Sequence, residues 1–162
     1  MALYGSKRDI SFFHRINREI IHNIIEQEVG YYQISLEETP TNVYKEAEGG
    51  KVFLPPVLIK CLIDRGDYEP NYSRNIPNIN RNFSFGFLRK DLVEINLVPQ
   101  IGDIILLDND YFEVNLVNEN QPIVGKISEY NYGEEHRDNF GTSFSIILEA
   151  HYVSPERLGI NK

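Results

Sequence analysis

The segment that most constrains the fold of this chain is Gln100–Val117, which has the pattern of a β-hairpin. Gly102-Asp103 opens an apolar run at Ile104–Leu107, and Asp108-Asn109-Asp110 then supplies residues that favour a tight turn. Because Ile104–Leu107 is apolar on both faces, we expect other parts of the protein to cover it on both sides. The returning strand alternates, with one face formed by Phe112, Val114 and Leu116 and the other by Tyr111, Glu113 and Asn115. A compact hairpin of this kind is typical of small β-barrels and sandwiches.

Strand signals dominate the rest of the chain. Further strands are predicted at Tyr31–Leu36, Val57–Ile63, Phe83–Phe87 and Ser143–Val153. Lys90–Leu97 is expected to form a short helical turn. The 162 residues correspond to one domain. The pattern therefore predicts a single mainly β domain, a small β-barrel or sandwich whose body spans residues 31–154.

An amphipathic helix is predicted at residues 6–30, ahead of the strands. Ser6-Lys7-Arg8-Asp9 has the spacing of a capping box, and Gly30 is expected to end the helix. The candidate subunit-packing face recurs at helical spacing at Phe13, Ile16, Ile20 and Ile24, and Ile10 and Ile21 widen it. The opposite face carries Arg15, Arg18, Glu19, His22 and Glu26. Since isoleucine is a poor helix former, packing must hold this helix, and we expect its apolar face to dock on a sheet or on a neighbouring subunit.

Two long polar loops interrupt the strands, at residues 64–82 and 128–142. Structureless segments of this length are uncommon in compact domains unless they carry a function or are disordered. They are interpreted either as arms that reach a partner or as plain mobile loops, and the sequence does not decide between the two. The candidate partner-contact residues are Arg65, Asp67, Tyr68, Tyr72 and Arg74 in the first loop, and Tyr130, Glu134, Glu135 and His136 in the second.

Charge and cysteine content exclude several classes of function. The chain carries a net charge of -8 at pH 7 and has a pI of about 5.0, which disfavours binding to nucleic acid by phosphate neutralisation. Cys61 is the single cysteine, so no disulfide can form within the chain and a reducing compartment is expected. The first residues lack the apolar core of a signal peptide, and no apolar run approaches the ~18 residues of a membrane span. These features predict an intracellular protein that does not cross a membrane.

No residue pattern indicates an active site, a metal site or a bound cofactor. Acid and base groups gather at Glu134–Asp138, which leaves a hydrolase as an alternative, but a glycine-flanked polar loop does not suggest the rigidity that acid–base catalysis needs. Cys61 lies on an apolar strand face, where an inert buried thiol is expected. The missing nucleophile and phosphate-binding motifs favour a protein that is not an enzyme. The histidines lack metal-ligand spacing, and we interpret His14, His22 and His136 as surface residues and His151 as a packed or interfacial one.

Several short motifs follow one another through nearly the whole chain. They are Met1–Gly5, Arg8–Ser11, Gly102-Asp103-Ile104, Asp110–Val114, Asn118–Gln121, Gly125-Lys126, Asn139-Phe140-Gly141 and His151-Tyr152. In this order they resemble the neck, or head-closure, proteins of tailed bacteriophages, especially those with contractile tails. The family has no catalytic residue or cofactor to carry over.

The resemblance implies a virion structural protein that forms a homo-oligomeric ring at the head–tail junction, assembled in the host cytoplasm. Its partners would be portal or adaptor proteins on the head side, and tail-terminator, tail-tube or sheath proteins on the tail side. DNA would pass through the lumen without sequence-specific binding, and an acidic wall would repel its phosphates. Two alternatives stay open: an adjacent tail-completion or tail-terminator ring protein, and a non-enzymatic accessory module that binds a protein partner.

Overall fold

The computed structural model describes residues 7–35, 39, 51–66, 70–71, 78–79, 82–119 and 144–158. Helix α1 (Lys7–Glu19) continues directly into a π-helical turn at Ile20–Ile25. The strands are β1 (Glu28–Tyr32), β2 (Val57–Lys60), β3 (Leu62–Arg65), β4 (Pro70–Asn71), β5 (Asn78–Ile79), β6 (Asn82–Leu88), β7 (Ile104–Leu107), β8 (Asp110–Asn118) and β9 (Ser145–Val153). Two short helices, α2 (Arg89–Glu94) and α3 (Pro155–Leu158), follow β6 and β9.

Seven of these strands form one antiparallel sheet in the order β2-β1-β7-β8-β9-β6-β3. Its two outermost strands, β2 and β3, are consecutive parts of one chain segment, separated by Cys61 alone. The two Cα steps from Lys60 to Leu62 span no more than about 8 Å, so the two edges of the sheet come together. The sheet is not closed, since no ladder joins β2 to β3 among the described strands. The prediction of a mainly β fold with an N-terminal helix is confirmed.

The hairpin β7–β8 has the form that the sequence predicts. Leu107 pairs with Asp110, and the intervening Asp108 and Asn109 have φ angles of 50° and 73°. Positive φ at both positions defines a tight turn whose twist matches that of the flanking strands, and Asp and Asn tolerate this conformation better than most residues do. The strand β7 is covered on both faces, as predicted, because it contributes Ile105 and Leu107 to one apolar cluster and Ile104 to another.

The larger of these two clusters contains side chains from β1, β2, β6, β7, β8, β9 and α2. Its fully buried side chains include Tyr31, Phe85, Phe87, Phe112, Ile146 and Leu148. Aromatic rings meet edge to face within it, with the centroids of Phe83 and Phe112 4.7 Å apart. The smaller cluster packs Tyr111, Val153 and Leu158 against the other face of β7.

The end of the first helix and one face of β8 differ from the sequence prediction. Gly30 does not end the helix, because it lies in β1; the helical turn stops instead at Glu26, whose φ of 52° is left-handed. A β-bulge between Val114 and Leu116 shifts the alternation of β8 by one residue. Leu116 is therefore 45% exposed and Val117 packs against the core in its place, which corrects the predicted face.

The first predicted loop is only partly a loop. Strand β3 extends as far as Arg65 and β6 begins at Asn82, so both ends of residues 64–82 belong to the sheet. Between them, β4 pairs with β5 as a separate two-stranded ribbon. The second predicted loop, residues 128–142, lies outside the described residues.

Candidate interaction surface

Polar side chains attach helix α1 to the body of the protein. Arg18 Nη1 and Nη2 donate to the two carboxylate oxygens of Glu94 at 2.9 and 2.6 Å. Arg18 Nε lies 3.3 Å from Asp91 Oδ1, and His22 Nε2 lies 2.7 Å from Asp91 Oδ2. We refer to Arg18, His22, Asp91 and Glu94 as the ionic clasp. The hydrogen bond between Arg18 and Glu94 raises the pKa of the arginine and lowers the pKa of the carboxyl, so both stay charged near neutral pH.

Further contacts fix the same side of the helix. Lys60 Nζ donates to the carbonyl oxygen of His22 at 2.9 Å, which ties the helical turn to β2. The ring of His14 lies 4.5 Å from that of Phe144, and burial, together with the nearby Lys90, lowers the pKa of His14 to about 4. The interpretation of His14 and His22 as surface residues is therefore wrong, since both are half-buried against the body.

The apolar side of the helix points away from the body. The exposed fraction is 73% for Ile24, 50% for Phe12 and 37% for Ile20. We call this surface the helix stripe, and it consists of Phe12, Phe13, Ile16, Ile20, Ile24 and Ile25. An amphipathic helix of a globular protein normally turns its apolar stripe toward the core and its charges toward water. Here the orientation is mostly reversed, because Phe13, Ile20 and Ile24 of the predicted packing face are exposed. Ile21, which was expected to widen that face, is buried. Docking of the exposed part on a neighbouring subunit stays a prediction.

A second apolar surface lies on the segment that forms both edges of the sheet. Leu58 is 67% exposed and Leu62 is 49% exposed, and they share one strand face with Lys60. We call this surface the strand patch, and it consists of Leu58 and Leu62. Val57 is also partly exposed, but it lies on the opposite strand face, with the buried Ile59. The hydrogen bond from Lys60 to His22 places the strand patch beside the end of the helical turn.

The buried polar cluster around Asp103 has a structural role. The Asp103 carboxylate is fully buried and accepts three hydrogen bonds, from the Tyr31 hydroxyl at 2.6 Å, the Ile34 amide at 2.9 Å and the Gln100 amide at 2.7 Å. Burial raises the pKa values of Asp103 and Tyr31. Because both carboxylate oxygens are engaged by fixed donors, this group holds the turn before β7 against β1 and offers no free acceptor for chemistry.

Reactive groups within the described part of the chain are few. No group of three or more His, Cys, Asp or Glu side chains there lies close enough to hold a metal ion. Cys61 is buried, as predicted, and burial raises the pKa of its thiol to about 12; its lack of reactivity stays a prediction. None of the helices described has the length and apolar content needed to cross a bilayer.

The structure places one of the nine candidate loop residues. Arg65 is exposed at the end of β3, with its guanidinium carbon 5.9 Å from the centre of the Phe83 ring. The other eight lie outside the described residues: Asp67, Tyr68, Tyr72, Arg74, Tyr130, Glu134, Glu135 and His136. Neither a protein-family model nor a curated protein matches the chain.

Sequence reasoning missed both the strand patch and the ionic clasp. The run from Val57 to Ile63 is apolar at every position except Lys60, which was a signal for a strand with two apolar faces. The spacing of Arg18 and His22, one helical turn apart, was the signal for a polar face that contacts another element.

Proposed function

We propose that this chain is a virion structural protein of the phage neck, a head–tail connector whose subunits form a ring that closes the head and docks the tail. The order of the sequence motifs supports this class, and so does the mainly β body. The observation that carries the proposal is the strand patch, an apolar surface that the chain leaves uncovered.

Apolar surfaces of this kind are typical of a subunit rather than of a protein that acts alone. Contiguous exposed apolar areas on a monomer generally mark contacts with other macromolecules. A closed ring needs two different surfaces on each subunit, because neighbours in a ring of more than two copies contact one another head to tail. The strand patch, on the outer side of β2 and β3, is one such surface.

The charge of the chain agrees with a channel through which DNA moves without binding. A net charge of -8 gives little opportunity for phosphate neutralisation and favours repulsion of the duplex. Three hydrogen bonds to the Asp103 carboxylate stabilise the turn before β7. Asp103 belongs to the Gly102-Asp103-Ile104 motif on which the resemblance partly rests. That motif therefore has a structural reason to recur in proteins with this hairpin.

Electron microscopy of purified virions, labelled with an antibody against this chain, tests the proposal. Label at the head–tail junction is the expected result. Label along or at the far end of the tail would move the protein to a tail-completion or tail-terminator ring. Particles without label would favour an accessory module that binds a protein partner, and would overturn the neck assignment.

Assembly with matched variants tests the role of the strand patch. Leu58→Asp is expected to reduce the number of tailed particles, because it places a charge in a surface that the ring would bury. Ile101→Asp is the control, since Ile101 is 66% exposed and belongs to neither apolar surface. Equal yields of tailed particles for the two variants would argue against a ring contact at the strand patch.

A further inference from the structure

We propose that the helix stripe binds the helix stripe of a second copy of this chain, in an antiparallel pair related by a two-fold axis. The first support is the spacing of the stripe. The sequence positions of Phe12, Ile16, Ile20 and Ile24 recur every four residues, so their order is the same from either end, although Ile20 and Ile24 lie in the π-helical turn. With the axis midway along the stripe, Phe12 of one copy faces Ile24 of the other, and Ile16 faces Ile20. An isologous contact requires this kind of self-complementary surface.

The charges beside the stripe favour the same orientation. Arg15 and Glu19 are both exposed and lie one helical turn apart along one edge of the stripe. The guanidinium carbon of Arg15 lies 5.8 Å from the centre of the Phe12 ring, which places its charge next to the apolar surface. An antiparallel pair brings Arg15 of each copy toward Glu19 of the other, because the same edges of the two helices then meet. In a parallel pair this edge meets the opposite edge of the partner helix, so the two opposite charges lie apart.

The helix is already fixed in the orientation that the pair requires. The ionic clasp holds α1 through its polar side, with Arg18 bound to Glu94 and His22 bound to Asp91. The stripe is therefore presented without any rearrangement of the body, and a surface ordered in advance loses less conformational entropy on binding.

This inference does not depend on the neck assignment. Neighbours in a ring make head-to-tail contacts, so a two-fold pair is a separate interface that joins two free subunits or two rings. The strand patch stays available for the ring contact. The two proposals therefore fail separately, because the variants that disrupt them lie on different surfaces.

Sedimentation equilibrium of the full chain over a range of concentrations tests the two-fold pair. The wild-type chain is expected to be a dimer at micromolar concentration, and Ile24→Asp a monomer. Ile101→Asp is the matched control, since Ile101 is 66% exposed and Ile24 is 73% exposed, and it should stay dimeric. A wild-type monomer throughout the range would overturn the inference, and so would a dimer that Ile24→Asp leaves intact. A dimer lost in Leu58→Asp but not in Ile24→Asp would also overturn it.

Charge exchange tests the antiparallel orientation. Arg15→Glu and Glu19→Arg should each weaken the dimer by about threefold to tenfold, because each places like charges together. The double variant R15E/E19R should restore wild-type affinity, since the two charges again meet their opposites. No loss in the single variants, or a loss that the double variant does not restore, would refute antiparallel pairing. Far-UV circular dichroism confirms that each variant keeps the fold.

Discussion

Replacement of Asp103 by alanine is expected to be among the most destabilising single substitutions in the turn that precedes β7. The side chain is 0% exposed and is the common acceptor for the Tyr31 hydroxyl and for the amides of Ile34 and Gln100. Asp103→Ala leaves all three donors without their acceptor while it removes little apolar packing.

The magnitude follows from where each donor lies. The Tyr31 hydroxyl belongs to a residue that is 1% exposed, so its loss of a partner costs the full penalty of about 1–3 kcal/mol. The backbone amides of Ile34 and Gln100 are only partly buried and can donate to water instead. Each therefore adds about 1 kcal/mol to the loss of stability. Removal of the buried charge returns some of its desolvation free energy, which is the reason its pKa is raised. The net decrease in the free energy of unfolding should be about 3 kcal/mol.

Urea unfolding followed by far-UV circular dichroism measures this decrease, and a double-mutant cycle assigns it. Tyr31→Phe alone should lower the free energy of unfolding by about 1 kcal/mol. The double variant Y31F/D103A should lose less than the sum of the two single variants, because it has no buried tyrosine hydroxyl left without an acceptor. Asp64→Ala, at an exposed aspartate of β3, is the control and should change stability by less than about 0.5 kcal/mol. A cost below about 1 kcal/mol for Asp103→Ala, or full additivity with Tyr31→Phe, would refute the reasoning.

Three further predictions concern single residues. His14 has a pKa of about 4 in the folded protein and of about 6.5 in the unfolded chain. The unfolded chain therefore takes up a proton first, and the free energy of unfolding decreases as the pH falls from about 6.5 to about 4. With allowance for solvent screening, unfolding at pH 5 and pH 7 should differ by roughly 1 kcal/mol, and His14→Gln should remove the difference. Asn109→Gly should stabilise the hairpin turn by about 0.5–1 kcal/mol and Asn109→Val should destabilise it, as measured by thermal unfolding, because Asn109 has a φ of 73°. Cys61 should react with a thiol reagent only after urea unfolds the chain; rapid reaction of the native protein at pH 8 would show that the thiol is accessible.

Local chemistry explains which parts of the fold were predictable from the sequence. The hairpin β7–β8 was, because its turn residues and its alternation lie within one short segment. The bulge at Leu116 was not, since an inserted residue is defined by its pairing with β9 and leaves no mark on the pattern of β8 itself. The helix was predictable from its periodicity, but its end at Glu26 depends on a left-handed conformation that Gly30 was expected to supply.

The orientation of the helix shows more clearly what sequence periodicity cannot predict. Spacing grouped Phe13, Ile16, Ile20 and Ile24 on one apolar face, but it also assigned Ile21 to that face, and Ile21 is buried. The face that contacts the body is chosen by Asp91 and Glu94, which lie 69 and 76 residues away from their partners His22 and Arg18. Sequence periodicity reports that a helix has two different faces and does not report which of them meets the rest of the chain. The candidate residues of the second loop lie outside the described residues and stay predictions.

The position of β9 also determines when the sheet can be completed during synthesis of the chain. It is the last of the described strands along the chain, yet it lies between β8 and β6 and forms ladders with both. A nascent chain that has emerged only as far as Asn118 holds two separate sets of strands, β2-β1-β7-β8 and β6-β3, each with an open edge. Those edges are templates for pairing with the wrong chain until Ser145–Val153 leaves the ribosome and joins them. The interval before β9 emerges is therefore the period when these open edges can pair with another chain.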